Sequence, residues 1–115
     1  MISQTTQNQI AKVRSALTHI RDERVVEGRA NKEVLQAAIL VAYHMETVTS
    51  VKELVEPFVR LTTLLGALND GHRESRGSTY LHRAIVEHGV LNQALADEGS
   101  EALFRRWAFF HNKEA

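Results

Sequence analysis

The six histidines are the residues of this sequence best suited to metal or acid–base chemistry. Metal sites on helices place two ligands three or four residues apart on one face. No pair of these histidines has that separation, since they stand at positions 19, 44, 72, 82, 88 and 111. We therefore expect them to be exposed or hydrogen-bonded within the fold. The chain also has no cysteine, which excludes disulfides, thiol catalysis and cysteine-bound zinc.

Catalytic motifs are missing from the sequence as well. The nucleophile motif Gly-x-Ser-x-Gly does not occur, and the carboxylates stand at polar positions of predicted helices. Glu87 follows Arg83 by four residues, which predicts a surface ion pair. Gly66 and Gly71 have the spacing of a phosphate-binding loop, but His-Arg follows Gly71 where that motif has Lys-Ser/Thr. We predict no enzymatic activity and no cofactor.

A group of arginines supports nucleic-acid binding as an alternative function. Arg73, Arg76 and Arg83 lie close together in the sequence with one acidic residue among them, and Arg105 and Arg106 follow near the C-terminus. Arginine favours bidentate phosphate contacts. However, the chain carries 14 basic and 14 acidic residues. This balance disfavours charge-driven binding to bulk nucleic acid or to an anionic membrane.

Aromatic side chains are concentrated near the C-terminus beside two of these arginines. Four of the chain's seven aromatic residues are Phe104, Trp107, Phe109 and Phe110. On a helix, Phe104, Trp107 and Phe110 share the face that closes the core, whereas Phe109 lies on the side of Arg105. Tryptophan, phenylalanine and arginine are enriched at protein interfaces. This segment is therefore predicted to contact another protein.

Helices must position all of these side chains, because the apolar residues recur with helical periodicity and no segment alternates as a strand does. In the first helix one narrow apolar stripe is predicted, which consists of Ile10, Val13, Leu17 and Ile20. The second helix is nearly uniformly apolar, which predicts that it lies at the centre of the fold. Asn31 is its expected N-cap, and Ser78 or Thr79 is the expected cap of the fourth helix. The predicted helices cover residues 4–26, 32–47, 51–70, 79–98 and 100–111.

The third predicted helix has the most regular apolar pattern. Ser50 and Glu53 have the spacing of a capping box at its start. Pro57 leaves two alternatives: it kinks a continuous helix, or it is the first residue of a helix that starts there. A heptad-like seam faces one neighbour and consists of Leu54, Phe58, Leu61, Leu65 and Leu68.

The length of 115 residues predicts one domain over residues 1–115. The expected fold is all-α, with four to five helices packed irregularly or orthogonally around the second helix. No apolar run approaches ~18 residues, and the N-terminus lacks the basic-then-apolar order of a signal peptide. We therefore expect a soluble, cytoplasmic protein without membrane contact.

The chain has more apolar helix faces than a five-helix monomer needs, which predicts a homodimer or a groove for a partner helix. The leading hypothesis is a small non-enzymatic protein that binds and regulates another protein, such as a transcription regulator or a toxin. Anti-activators, immunity proteins and adaptors are analogies at the level of the fold. A small-molecule or metal site at Tyr43, His44 and Glu46 is a further alternative. The predicted protein contacts are Leu61, Leu65, Phe104, Arg105, Trp107 and Phe109.

Overall fold

The chain folds into an all-helical bundle. The computed structural model describes residues 2–24, 26–71 and 77–97, and this part of the chain contains helices and no strand. The helices are α1 (Gln4–Asp22), α2 (Arg29–Thr47), α3 (Val51–Gly71) and α4 (Gly77–Leu95). The all-α prediction is confirmed. The predicted fifth helix over 100–111 lies outside the described residues.

The four helices are arranged as a ring in which each packs against two others. α1 contacts α2 and α4, and α3 contacts α2 and α4, whereas the diagonal pairs of these four helices do not approach closely. Among the described helices α2 is therefore a corner of the bundle, which corrects the expectation that it is the centre. A nearly uniform apolar composition permits a helix to be buried on all sides. It does not require such burial, because apolar side chains also occur at protein surfaces.

The boundary between α1 and α2 differs from the predicted one by several residues. α1 ends at Asp22 instead of residue 26, because Arg24 adopts a left-handed conformation with φ 54°. α2 begins at Arg29 instead of residue 32, with Gly28 at φ 86° as its N-cap. The predicted cap, Asn31, lies inside the helix and donates its side-chain amide to the carbonyl of Glu27 at 3.1 Å.

α3 begins where its capping signal predicts. The backbone N–H of Glu53 donates to the hydroxyl of Ser50 at 3.3 Å, so Ser50 satisfies one of the free N–H groups at the start of the helix. Pro57 lies inside a single helix that runs from Val51 to Gly71, which selects the continuous helix from the two alternatives. α4 already begins at Gly77, ahead of the predicted caps.

One apolar stripe from each helix forms the core. The stripes of α1 and α3 are the predicted ones, and every member of the leucine seam is buried. Burying side chains of this size contributes ~1.5–3 kcal/mol each, so the core is the main source of stability. None of the helices in the described part is both long enough and apolar enough to cross a membrane. The buried stripes of α2 and α4 are Leu35, Ala38, Ile39, Ala42 and Met45, and Leu81, Ala84, Leu91 and Leu95.

Candidate interaction surface

The predicted contact residues of α3 lie in the core. Leu61 is 0% exposed and Leu65 is 3% exposed, so the folded chain presents neither side chain at its surface. The leucine seam packs within the chain. The other four predicted contacts fall outside the described residues, and they are Phe104, Arg105, Trp107 and Phe109.

α2 instead supplies an exposed apolar surface. Leu40 is 59% exposed and Tyr43 is 44% exposed. Residues three and four positions before and after Leu40 lie on the same side of the helix. We call this side the outer face of α2, and it consists of Gln36, Ala37, Leu40, Tyr43 and His44.

The outer face of α2 is also free of formal charge. Residues 34–45 contain no Asp, Glu, Lys or Arg. The exposed side of α3 differs, since it carries Lys52, Glu53, Glu56 and Arg60. A solvent-facing side without charge over three helical turns is unusual for a helix that faces only water. The outer face of α2 is therefore the strongest candidate for a protein interface on the described helices.

Sequence reasoning missed Leu40 as an individual residue, although the signal was present. A helical projection of residues 34–45 places Leu40 opposite the buried stripe that includes Ala38 and Ala42. Sequence reasoning also missed two smaller exposed apolar side chains on α4. These are Val86 and Val90, which are 47% and 49% exposed and lie one turn apart.

In the alternative site at Tyr43, His44 and Glu46, the first two side chains are exposed and Glu46 lines a cleft of about 310 Å³ beside the start of α1. The guanidinium of Arg14 on α1 pairs with the carboxylate of Glu46 at 3.1 Å. The same guanidinium lies 5.2 Å from the ring centroid of Tyr43. Glu46 is thus part of the contact between α1 and α2, and His44 is exposed on the outer face. The described residues contain no group of three or more side chains placed to hold a metal ion.

Of the arginines predicted to contact nucleic acid, only Arg83 falls on the described residues. It lines a cleft of about 400 Å³ between α1 and α4, together with Lys12, Ser15, His19, Tyr80 and Glu87. The rings of His19 and Tyr80 meet with their centroids 5.1 Å apart at one end of this cleft. Arg73, Arg76, Arg105 and Arg106 lie outside the described part of the chain.

The predicted ion pair between Arg83 and Glu87 is absent from the described contacts. The carboxylate of Glu87 instead accepts a hydrogen bond from the side-chain amide of Gln9 at 2.7 Å. Gln9 is buried and also donates to the backbone carbonyl of Glu87 at 2.9 Å. A buried amide without an acceptor is costly, which explains why Glu87 turns toward α1. Arg83 consequently has no acidic partner among the described residues.

His88 forms a polar contact inside the bundle. Its ring stacks on Phe58 with centroids 4.3 Å apart, and its Nε2 lies 2.5 Å from the hydroxyl of Thr62. That hydroxyl donates to the carbonyl of Phe58 at 3.0 Å. Burial lowers the pKa of His88 from 6.5 to about 4, so the ring is neutral at pH 7.

The expectation that histidines serve structural roles is met at His88, which hydrogen-bonds within the fold. The Nδ1 of His88 and the Oδ1 of Asn92 are buried without a hydrogen-bond partner among the described atoms. The two residues lie one turn apart on α4. This polar contact joins α3 to α4 and is enclosed by the core, so it offers no access to a substrate.

Three comparisons with known proteins give no match: no protein-family model, no curated protein and no solved structure is significantly similar to this chain.

Proposed function

We propose that this protein is a small non-enzymatic regulator that acts by binding another protein and that forms a homodimer through the outer face of α2. The observation that carries the proposal is Leu40, which is exposed at the middle of a charge-free helix face. Exposed apolar surface of this kind marks sites of protein interaction. Leu61 and Leu65 are buried in the core and are therefore not part of the proposed interface. The apolar contacts of the dimer are instead assigned to the outer face of α2.

A symmetric dimer fits the composition of this face. In a two-fold dimer the same patch meets itself, so residues near the axis face their own copies. An axis beside Leu40 brings the two Leu40 side chains together and places Gln36 near the His44 of the second copy. Ala37 is small enough to let two helices approach closely. No pair of like charges is brought together, because the face carries none.

The regulated protein is proposed to bind elsewhere. The predicted arginine and aromatic surface of the C-terminal segment, with Phe104, Arg105, Trp107 and Phe109, remains the proposed contact for a transcription regulator or a toxin in the cytoplasm. An affinity pull-down from the native host identifies that partner. Loss of the partner with Phe109→Ala, and its retention with Val90→Ala, is the expected outcome.

Light scattering after size-exclusion chromatography tests the dimer. We expect twice the 13.0 kDa chain mass at tens of micromolar, and a monomer for Leu40→Glu. Val90→Glu is the matched control, since Val90 is similarly exposed on the diagonal helix α4 and should remain dimeric. A monomeric wild-type protein, or a Leu40→Glu variant that stays dimeric, contradicts the proposal.

A nucleic-acid-binding regulator is the second candidate, favoured by Arg83, which has no acidic partner in the described part of the chain and lines the cleft between α1 and α4 together with Lys12. A gel-shift assay at low salt tests it, because phosphate contacts are strongest there. Binding at about 50 mM salt that Arg83→Gln weakens supports this candidate. Absence of a shift at that salt concentration excludes it.

A further inference from the structure

A pocket of about 470 Å³ opens between the end of α1 and the beginning of α2. Its floor is apolar and consists of the buried side chains Ile20, Val26 and Leu35. Its rim carries three basic residues, Arg21, Arg24 and Lys32. The volume falls within the range of about 300–1,000 Å³ that is typical of small-ligand pockets. The pocket therefore combines an apolar surface with positive charge at its mouth.

The positive charge at the rim is largely uncompensated. Arg21 pairs with its exposed neighbour Asp22 at 3.1 Å. Arg24 and Lys32 have no acidic partner within the described part of the chain, and Glu27 is the single acidic residue that lines the pocket. Three basic side chains around one acidic side chain favour an anion at the rim.

Arg24 occupies a backbone conformation that favours glycine. Its φ of 54° is left-handed, which costs roughly 1–2 kcal/mol for a residue with a Cβ atom. Glycine is the usual residue directly after a helix end in this conformation. Residues held in such conformations are enriched at ligand sites, where the side chain is needed in a particular place. At Arg24 this conformation follows the end of α1, and the residue lines the pocket from that position.

We propose that this pocket binds a small amphipathic carboxylate. The hydrocarbon part of the ligand packs on Ile20, Val26 and Leu35, and its carboxylate accepts hydrogen bonds from Arg24 and Lys32. Charge-assisted hydrogen bonds of this type are stronger than neutral ones, and a guanidinium matches a carboxylate in geometry. The pocket adjoins the outer face of α2, since Gln36 belongs to both.

Titration of the ¹⁵N-labelled protein with octanoate, followed by NMR, tests the proposal. We expect saturable shifts centred on residues 20–36 and weaker binding of octanamide, which has the same chain without the charge. Butanoate should also bind more weakly, because it covers less of the apolar floor. Inorganic phosphate provides charge without an apolar part and should bind more weakly than octanoate.

Two variants remove the rim charges singly. Arg24→Gly deletes the guanidinium and suits the left-handed backbone, so this variant should fold at least as well as the wild type. We expect octanoate binding to weaken at least about fivefold with Arg24→Gly and with Lys32→Gln, in line with loss of a charged hydrogen bond. Arg29→Gln is the matched control and should bind like the wild type, since Arg29 is exposed, pairs with Glu33 and does not line the pocket.

Four results overturn the proposal, and the first three concern octanoate and the variants. They are the absence of saturable octanoate binding, equal affinity for octanoate and octanamide, and unchanged octanoate affinity in the folded Arg24→Gly and Lys32→Gln variants. Equal affinity for phosphate and octanoate also overturns it, because it reduces the pocket to a nonspecific anion contact.

Discussion

The protonation of His88 is coupled to folding because its ring is buried where α3 meets α4. The neutral ring is compatible with stacking on Phe58 and with the hydrogen bond to Thr62. A charged imidazolium at the same position would lose its hydration without gaining a counterion from these neighbours. At the scale of single residues, His88 is therefore the site at which pH acts most directly on the described fold.

We predict that the protein loses stability in mild acid. The pKa of His88 is about 4 in the folded state and 6.5 when unperturbed, so the unfolded chain binds more protons between these values. The contribution of neutral His88 is complete above pH 6.5 and is lost as the pH falls toward about 4. The loss should be about 2 kcal/mol at pH 5 and about 3 kcal/mol in full.

Urea unfolding at pH 7 and at pH 5 measures this effect. His88→Gln should flatten the dependence of the unfolding free energy on pH, and His82→Gln, at an exposed position of the same helix, should leave it unchanged. A wild-type protein with equal stability at both pH values contradicts the assignment of a neutral, buried His88.

At the scale of the helices, the ends depend on single capping residues. Ser50 caps α3 with a side-chain hydrogen bond, whereas α2 begins at Gly28 without any side-chain cap. α1 ends at Asp22, shortly before the left-handed Arg24, and not at residue 26 as its sequence predicts. The hydroxyl signal was correct at Ser50 but not at Ser78 or Thr79, because α4 already begins at Gly77.

We predict that Ser50→Ala destabilises the protein by about 1 kcal/mol, because a backbone N–H of α3 loses its acceptor. Thermal or urea unfolding measures the change. Ser15→Ala serves as the control, since Ser15 is exposed in the middle of α1, where alanine is the better helix former. An equal effect of the two substitutions would show that Ser50 does not act as a cap.

At the scale of the whole molecule, the bundle divides its apolar residues between a core and an exposed face. Leu61 of α3 lies in the core, while Leu40 lies on the outer face of α2. Both leucines belong to strongly apolar segments, so the neighbouring residues in the sequence do not show which leucine is buried and which is exposed. Their energetic roles nevertheless differ, since the folded chain buries one and leaves the other 59% exposed.

We predict opposite responses to alanine substitution at these two leucines. Leu61→Ala should lower the unfolding free energy by about 2–5 kcal/mol through the cavity it leaves. Leu40→Ala should change chain stability by less than about 0.5 kcal/mol in a monomer and should weaken the proposed dimer. Urea unfolding at two protein concentrations separates these effects, because dimer stability depends on concentration. Similar losses for both variants at low concentration would contradict the assigned burial.

The sequence by itself determined the all-α class, the buried stripes of α1 and α3, and the Ser50 cap, because helical periodicity and capping depend on residues a few positions apart. Only the tertiary structure decided that α2 is a corner of the bundle, that Glu87 turns to Gln9 and not to Arg83, and that the basic rim beside Arg24 surrounds an apolar floor. Those contacts join residues far apart in the chain. Their partners are selected by how the helices pack together, which local spacing does not encode.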